Sequence, residues 1–195
     1  YVPDYGYEEV ADHAIALLMA MSRGIAKLDR HVRKGEWSTK PARPMHRMRG
    51  RTLGILGYGR IGRALGLRAA PHGLRILVHD PYVDSDQVAD IGAELVNKER
   101  LIAESDVISV HAPLTPETRH SIGEPELRAM KSTAYVINTS RGPLVDEYAL
   151  AQALKDGWIA GAGIDVLEEE GCSYRHGLAD ACRFDQQIVK PTLRR

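Results

Sequence analysis

The stretch that decides the fold is RTLGILGYGRIGRALGLRAA, residues 51–70. It opens as a short apolar strand, turns through Gly57-Tyr58-Gly59-Arg60-Ile61-Gly62, and enters a helix predicted over residues 60–72. A strand, a GxGxxG turn and a helix in this order are typical of dinucleotide-binding loops. The first glycine permits the turn, the second lets the backbone approach a pyrophosphate, and the third lets the helix pack on the strand. The alternative is a glycine-rich turn that binds no ligand.

Further along the chain, apolar runs rich in β-branched residues alternate with helical segments. The predicted strands are RTLGILG, RILVHD, AELV, DVISVHA, TAYVINT and IAGAGIDV. Short helices are predicted around residues 86–91, 99–105, 124–130 and 146–157. Such alternation predicts a parallel sheet that is buried on both faces. Because parallel crossovers are right-handed, the predicted fold class is an α/β, doubly wound domain of the Rossmann type.

The second predicted strand ends at Asp80, 18 positions after Gly62. A carboxylate at this place can accept hydrogen bonds from the ribose hydroxyls of an adenosine. It would also repel a 2′-phosphate, so the sequence predicts NAD rather than NADP. The alternative is that Asp80 only forms the turn before Pro81.

The segment before the glycine loop is predicted to be one long helix over residues 7–36, acidic in its first turns and basic in its last, as the helix dipole favours. Its apolar side chains cover more than one stripe, which predicts burial on several sides, between domains or subunits. The apolar residues are Val10, Ile15, Leu17, Leu18, Met21, Ile25 and Leu28. The basic, proline-containing residues 38–51 are interpreted as an exposed connecting arm, with a phosphate or partner contact as the alternative.

Composition narrows the class of protein. The 195 residues carry 26 basic and 26 acidic side chains, so charge gives no reason to expect nucleic acid or an anionic membrane as partner. The longest apolar run, AIALLMAM, is too short to span a bilayer. The only cysteines, Cys172 and Cys182, form no CxxC pair, and a cytoplasmic location is expected. No histidine pairs with a carboxylate or cysteine at metal-ligand spacing, so no metal site is predicted.

Four blocks in order resemble the D-isomer-specific 2-hydroxyacid dehydrogenases, and their character is similar to the C-terminal-binding-protein-like branch. The blocks are VPDYGYEEVADHAIALL, GYGRIGRALGLRAAPHGLRILVHDPY, VHAPLTPETRHSIG and MKSTAYVINTSRGPLVDEYALAQALKDGWIAGAGIDVLEEE. The resemblance covers residues 2–170 and is far more specific than a lone GxGxxG. It implies an NAD-dependent oxidoreductase with two domains, a homodimer, and a small 2-hydroxy or 2-keto acid bound between the domains.

The resemblance also implies domain boundaries and cofactor contacts. Residues 1–45 would be the interdomain helix and arm, residues 46–170 the NAD-binding domain, and residues 171–195 a tail that departs from the family. Carried over by position, the glycine loop with Arg60 and Ile61 would contact the pyrophosphate, and Asp80 the ribose. The contacts implied farther along are Ala112, Pro113 and Thr118 beside the adenosine and nicotinamide, Thr139, Ser140 and Arg141 over the nicotinamide ribose, and Asp165 at the carboxamide.

Three residues carry the chemistry in enzymes of this kind. Arg141 would grip the substrate carboxylate, because a planar, always-charged guanidinium matches a carboxylate with two hydrogen bonds. The alternative for Arg141 is an ion pair with Asp146 at a helix start. Glu170 would orient a histidine that exchanges the proton, and its alternative is membership of a solvated acidic run, residues 168–170.

The histidine itself is not found in the sequence. The family has it some thirty residues past the glutamate, after Thr-Pro, and the tail contains only His176, which stands too near Glu170. The chain is therefore predicted to bind NAD but to be catalytically incomplete, as a fragment or a frame-shifted product. A shifted reading frame after Glu170 is predicted to encode the missing block. The alternative functions are an NAD-binding, corepressor-like regulatory protein and a remnant that binds nothing well.

Overall fold

The computed structural model describes residues 6–168 and 187–189 of the chain. Seven strands form one sheet in the order β3-β2-β1-β4-β5-β6-β7, and every recorded pairing is parallel. The strands are β1 (Thr52–Leu56), β2 (Arg75–His79), β3 (Glu94–Leu95), β4 (Val107–Val110), β5 (Tyr135–Asn138), β6 (Gly161–Ile164) and β7 (Gln187–Val189). This is the order of a dinucleotide-binding Rossmann sheet with one further strand. The predicted fold class is confirmed.

Helices cover both faces of this sheet. They are α1 (Tyr7–Ser22), α2 (Ile25–Arg33), α3 (Arg60–Ala69), α4 (Ser85–Ala89), α5 (Lys98–Glu104), α6 (Glu124–Ala129) and α7 (Glu147–Asp156). Successive strand residues point to opposite faces, so Val136 and Ile137 of β5 enter two different apolar clusters. One cluster joins the sheet to α1 and α3, and the other joins it to α5, α6 and α7. The strand-helix alternation predicted between residues 51 and 164 is confirmed.

The prediction of one long N-terminal helix is wrong. The helix is interrupted between α1 and α2 at Gly24, which has a φ of 62° in the left-handed region. A Cβ at Gly24 would lie 2.5 Å from the Cβ of Ala42, so the arm packs against the break and only glycine fits there. The sequence pattern of the predicted helix does not indicate the contact between Gly24 and Ala42, because that contact forms only when the arm folds back against the helix.

The two halves of the predicted helix also differ in burial. In α1 the buried residues are Ala11, Ala14, Leu17, Leu18 and Met21, whereas α2 has no buried residue. Helix α1 therefore packs against the sheet, and the domain boundary at residue 45 stays a prediction. The five buried side chains of α1 lie on one face of the helix, and α2 buries none within the single chain, so burial on several sides is not seen in this chain. Burial of α2 between subunits, where Ile25 is 54% exposed in the single chain, stays a prediction.

The arm and the tail complete the fold. Most of residues 38–51 are exposed, and Ala42 is the buried residue among them, as expected of a connecting arm. Strand β7 pairs with β6, so the sheet continues past the boundary that was predicted at residue 170. Among the described residues, no helix combines the length and the apolarity that crossing a bilayer requires.

Candidate functional site

The strand register brings five loops together at the carboxyl edge of the sheet. In β1, Leu56 lies opposite His79 of β2 and Val110 of β4. In the other half, Asn138 of β5 lies opposite Val110 and Ile164. The next residues along these strands begin the loops that contain the predicted cofactor contacts. Glu170 lies outside the described residues, so its predicted role is a hypothesis only.

Gly57 brings the first of these loops against the loop after β4. Its φ is 92°, and a Cβ there would lie 2.5 Å from the backbone nitrogen of Ala112. Its own N–H donates to the carbonyl of His79 at 2.9 Å. Both the left-handed backbone and the close approach require glycine. Three neighbouring strands therefore meet at this one residue.

Gly62 and Gly59 differ in what surrounds them. A Cβ at Gly62 would lie 2.3 Å from the carbonyl oxygen of Gly57, so helix α3 packs as closely on the turn as the motif predicts. A Cβ at Gly59 would meet no protein atom within 4 Å. Gly59 is also the N-cap of α3, with no side-chain cap on the helix. The open side of Gly59 and the first N–H groups of α3 thus form a cradle suited to a phosphate. Arg60 is exposed and Ile61 is half-buried at its rim.

Asp80 makes two backbone contacts. Its Oδ2 accepts a hydrogen bond from the N–H of Tyr58 at 2.7 Å, and its Oδ1 accepts one from the N–H of Tyr82 at 2.9 Å. The bond from Tyr82 shows that Asp80 does form the turn around Pro81, which was the alternative interpretation of this residue. The bond from Tyr58 ties that turn to the glycine loop. Each carboxylate oxygen has two lone pairs, so both can still accept ribose hydroxyls.

A cavity of about 340 Å³ opens beside Asp80, within the size range of small-molecule sites. Its lining includes Asp80, Tyr82, Lys98, Ala112, Pro113 and Thr118. Thr118 also shapes the loop, since its Oγ1 donates to the carbonyl of Pro113 at 2.6 Å and accepts from the N–H of Thr115 at 2.7 Å. Asp80, Ala112, Pro113 and Thr118, which are far apart in the sequence, are thus brought around one space.

His111 is buried between the two halves of the carboxyl edge. Burial lowers the pKa of its imidazole from 6.5 to about 4, so the ring is neutral at pH 7. One ring nitrogen, Nε2, is hydrogen-bonded to Oγ of Ser109 at 2.8 Å. The other, Nδ1, has no partner among the described residues. The neutral ring therefore brings no charge to the carboxyl edge at pH 7.

Asn138 organises the loop after β5 and was missed by the sequence reasoning. It is 1% exposed, its Oδ1 accepts from the N–H of Ser140 at 3.1 Å, and its Nδ2 donates to the carbonyl of Arg141 at 2.9 Å. The available signal was an amide at the end of an otherwise apolar strand. Next to it, Oγ1 of Thr139 is buried and has no partner among the described residues. A buried hydroxyl usually has one, so Thr139 is suited to bind a ligand.

The guanidinium of Arg141 is exposed, and its Nη1 donates to the carbonyl of Ser140 at 2.8 Å. The structure records no ion pair between Arg141 and any carboxylate of residues 6–168. Asp146 instead caps helix α7, accepting from the N–H groups of Tyr148 and Ala149 at 3.0 Å each. The alternative of an Arg141–Asp146 pair is therefore not what the structure shows, and the charged end of Arg141 faces solvent.

The loop after β6 lies directly against the loop of Arg141. A Cβ at Gly142 would overlap the backbone of Leu167, so the two loops touch through their main chains. Asp165 is half-buried, and its Oδ1 lies 3.8 Å from Nε2 of His13 in α1. Glu168 is ion-paired with Arg119, which does not fit a wholly solvated acidic run. The described residues contain no cluster of three metal-ligating side chains.

A glycine cradle between β1 and α3, a carboxylate after β2 and polar loops after β4, β5 and β6 define a dinucleotide-binding domain of the Rossmann type. Residues 15–191 match the family model for the D-isomer specific 2-hydroxyacid dehydrogenase, NAD binding domain. The chain belongs to the D-isomer specific 2-hydroxyacid dehydrogenase family and contains its NAD-binding domain. The predicted family and cofactor are thereby confirmed.

Named relatives and solved structures agree with this membership. The chain is 52% identical over 167 residues to a glyoxylate reductase of Korarchaeum cryptofilum, covering 84% of this chain and 50% of that protein. It is 40% identical to a glyoxylate reductase of Thermofilum pendens, covering 98% and 57%. The D-lactate dehydrogenase of Aquifex aeolicus, complexed with NAD and lactic acid, superposes with a TM-score of 0.88 at 30% identity, covering 97% and 60%. The chain spans about half the length of the curated relatives it matches.

Proposed function

We propose that this chain binds NAD along the carboxyl edge of its sheet and is the cofactor half of an oxidoreductase for 2-hydroxy and 2-keto acids. The observation that carries the proposal is the pair of glycines at the cradle. Gly57 is required by the packing of the protein itself, whereas the space beside Gly59 is left open by every described protein atom. A glycine that the protein does not need for its own packing is explained by a ligand that approaches its backbone.

The residues of the edge fit the cofactor in two halves. The N–H groups at the start of α3 would bind the pyrophosphate beside Gly59, and Asp80 would accept the ribose hydroxyls. In the other half, Thr139, Ser140 and Asp165 would bind the nicotinamide ribose and carboxamide. The buried, unpartnered Oγ1 of Thr139 supports that assignment. When bound, NAD supplies the hydride acceptor, and the surrounding side chains orient it.

Arg141 is proposed to bind the substrate. Its exposed guanidinium can donate two parallel hydrogen bonds to a carboxylate and polarise the adjacent carbonyl. Glu170 is proposed to act beside it, by resemblance alone. The relatives reported above are named reductases and dehydrogenases, which favours an enzyme over a regulatory NAD-binding protein. Glyoxylate is the first substrate to test, because it occurs in the names of the relatives.

Cofactor binding is tested by isothermal titration calorimetry of the full chain with NADH and NADPH. We expect saturable binding of NADH and weaker binding of NADPH. Asp80→Asn removes the charge that repels a 2′-phosphate, and it should raise the affinity for NADPH relative to NADH about ten-fold. A chain that binds neither dinucleotide would refute the proposal, and an unchanged affinity ratio would refute the role of Asp80.

Activity is tested by following oxidation of NADH with glyoxylate. If the general acid–base histidine is missing, we expect turnover roughly 10²- to 10⁴-fold below that of a full-length relative. Any residual turnover should fall further in Arg141→Lys, because an ammonium cannot replace the two-pronged guanidinium. Binding without turnover would leave the chain as a cofactor-binding half, and turnover unaffected by Arg141→Lys would remove Arg141 from the substrate site.

We further propose that the chain forms a homodimer through α2 and the arm. Helix α2 buries none of its side chains, and Ile25 and Val32 are 54% and 50% exposed. Trp37, which follows it, is 92% exposed. A second copy would cover this apolar surface. Sedimentation should give twice the chain mass of 21.5 kDa, and a monomer would contradict the proposal. A cytoplasmic location stays a prediction.

A further inference from the structure

His120 has a backbone conformation that sets it apart. Among the non-glycine residues that the structure describes, only His120 is recorded with a positive φ, which is 51°. Few residues other than glycine adopt this left-handed region, and histidine is among those that do so more often. Here the N–H of His120 donates to the carbonyl of Pro143 at 2.8 Å, within the loop that follows Arg141. The unusual backbone fixes the direction in which the ring leaves the chain.

The ring of His120 points between two carboxylates. Its Nε2 lies 3.2 and 3.3 Å from the two carboxylate oxygens of Glu168. Its Nδ1 lies 3.7 Å from Oδ2 of Asp146, which is an ion-pair distance. Two other charged groups take part, since Arg119 also pairs with Glu168 and the Glu147 carboxylate accepts from the backbone N–H of Glu168. The charged groups in contact with the ring are therefore Asp146 and Glu168, and Arg119 and Glu147 are connected to it through Glu168.

These contacts join the two loops that flank the second half of the cofactor edge. Asp146 ends the loop that begins at Arg141, and Glu168 ends the segment that begins at Asp165. The same loops already touch where Gly142 meets Leu167. The ring of His120 adds a side-chain connection between the same two loops, a few residues away from that contact.

We infer that His120 is a positioning residue whose ring, when both nitrogens carry protons, bridges Asp146 and Glu168 and so sets the spacing between the Arg141 loop and residues 165–168. The inference rests on the proposed cofactor site. The hydrogen bond of Nε2 to Glu168 needs one N–H donor, whereas the 3.7 Å contact of Nδ1 with Asp146 is an ion pair that forms only with the charged ring. Raising the pH removes one of the two contacts. Arg119 is also ion-paired with Glu168, so loss of one ring contact loosens the segment rather than releasing it.

The bridge is tested by amide hydrogen exchange of the full chain, read at the N–H of Glu168 and followed from about pH 5.5 to about pH 8.5, across the range in which imidazole changes charge. We expect the protection of this amide to fall roughly two- to five-fold over that range, as befits a partly exposed ion pair. His120→Gly suits the positive φ but lacks the ring. Its Glu168 amide should therefore be less protected than that of the wild type at about pH 5.5 and should show no fall in protection toward about pH 8.5. Arg119→Gln is the matched control, which should lower protection at every pH and leave the pH dependence in place.

Affinity for NADH, measured by calorimetry on the same variants, tests the positioning role. His120→Gly should bind NADH about two- to five-fold more weakly at the acid end, and the difference should be smaller at the alkaline end, where the neutral ring of the wild type keeps one contact. His120→Asn, which tolerates the backbone and keeps one donor, should recover part of the loss. Wild-type protection in His120→Gly would overturn the bridge, and lowered protection with unchanged NADH affinity would overturn the positioning role. A wild-type chain that binds no NADH would refute the proposed function, while the exchange data would still decide the bridge.

Discussion

The two halves of the carboxyl edge are built differently. Around β1 and β2, close approach of the main chain carries most of the arrangement: Gly57 lies against the backbone of Ala112, and the side chain of Asp80 adds one bond, from the N–H of Tyr58. Around β5 and β6, polar side chains carry it: Asn138 bonds both Ser140 and Arg141, and His120 lies beside Glu168. The first half depends on a short motif, whereas the second depends on contacts among loops distant in the sequence.

The two halves should therefore be disrupted by different kinds of substitution. A backbone-built half fails when a side chain enters space that the main chain needs, because there is no rotamer that avoids the overlap. A half built from side chains fails when one polar partner is lost, because the other partner is left buried without a hydrogen bond. Four variants test this difference between the two halves, and their expected effects decrease from the first to the fourth.

The largest effect is expected for Gly57→Ala. The new methyl would combine a left-handed backbone with an approach of 2.5 Å to the nitrogen of Ala112, and these together should cost about 3 kcal/mol or more of unfolding free energy. Gly59→Ala is the matched control, since its methyl meets nothing and its φ is −71°. It should change stability little and weaken NADH binding about ten-fold or more. Urea unfolding and calorimetry measure both, and equal stability losses would contradict the distinction.

The second effect concerns acid stability through His111. Its folded pKa of about 4 lies below the usual 6.5, so the unfolded chain takes up the proton first as the pH falls. Stability is therefore lost between about pH 6.5 and pH 4, and His111 should account for about 2.5 kcal/mol of the loss at pH 4.5. His111→Gln should remove that part of the pH dependence, whereas replacement of the exposed His72 by Gln should not. Parallel urea curves for wild type and His111→Gln across this range would contradict the assignment.

The third effect tests the half built from side chains. Asn138→Asp keeps an acceptor for the N–H of Ser140 but replaces the donor to the carbonyl of Arg141 by an oxygen. We expect a loss of about 2 kcal/mol of unfolding free energy, since a buried bond becomes a repulsive contact. Asn138→Ala is the comparison, which loses both bonds without repulsion. A thermal unfolding curve for Asn138→Asp that matches the wild type would show that the turn does not depend on this amide.

The smallest effect is expected for Thr139→Val, which keeps the shape of the side chain and removes a buried hydroxyl that has no described partner. The unfolding free energy should stay the same or rise by about 1 kcal/mol, because burying an unpartnered hydroxyl is costly. The affinity for NADH should fall about three-fold or more if the hydroxyl binds the cofactor. A clear loss of stability would show that the hydroxyl has a partner in the protein, and unchanged affinity would remove Thr139 from the site.

Much of the fold could be predicted because its signals are local. The apolar runs, the glycine turn and the acidic residue after β2 each occupy a few consecutive residues, and their order determines a parallel Rossmann sheet. The predicted long helix was wrong because its break at Gly24 depends on the packing of Ala42, 18 positions away. The backbone contact of Asp80, the loop-shaping bonds of Thr118 and the scaffolding by Asn138 were likewise invisible, because each depends on a partner brought close by tertiary folding.

The class of the sheet, the glycine cradle and the family follow from the sequence alone, because repeating strand-helix units and a six-residue motif need no distant partner. Only the tertiary structure decided which polar groups face one another at the carboxyl edge. It separated Arg141 from Asp146, placed His120 beside Glu168 and left Oγ1 of Thr139 without a partner among the described residues. The physical reason is that hydrogen bonds and ion pairs act over a few ångströms, and the strand register alone brings these loops within that distance.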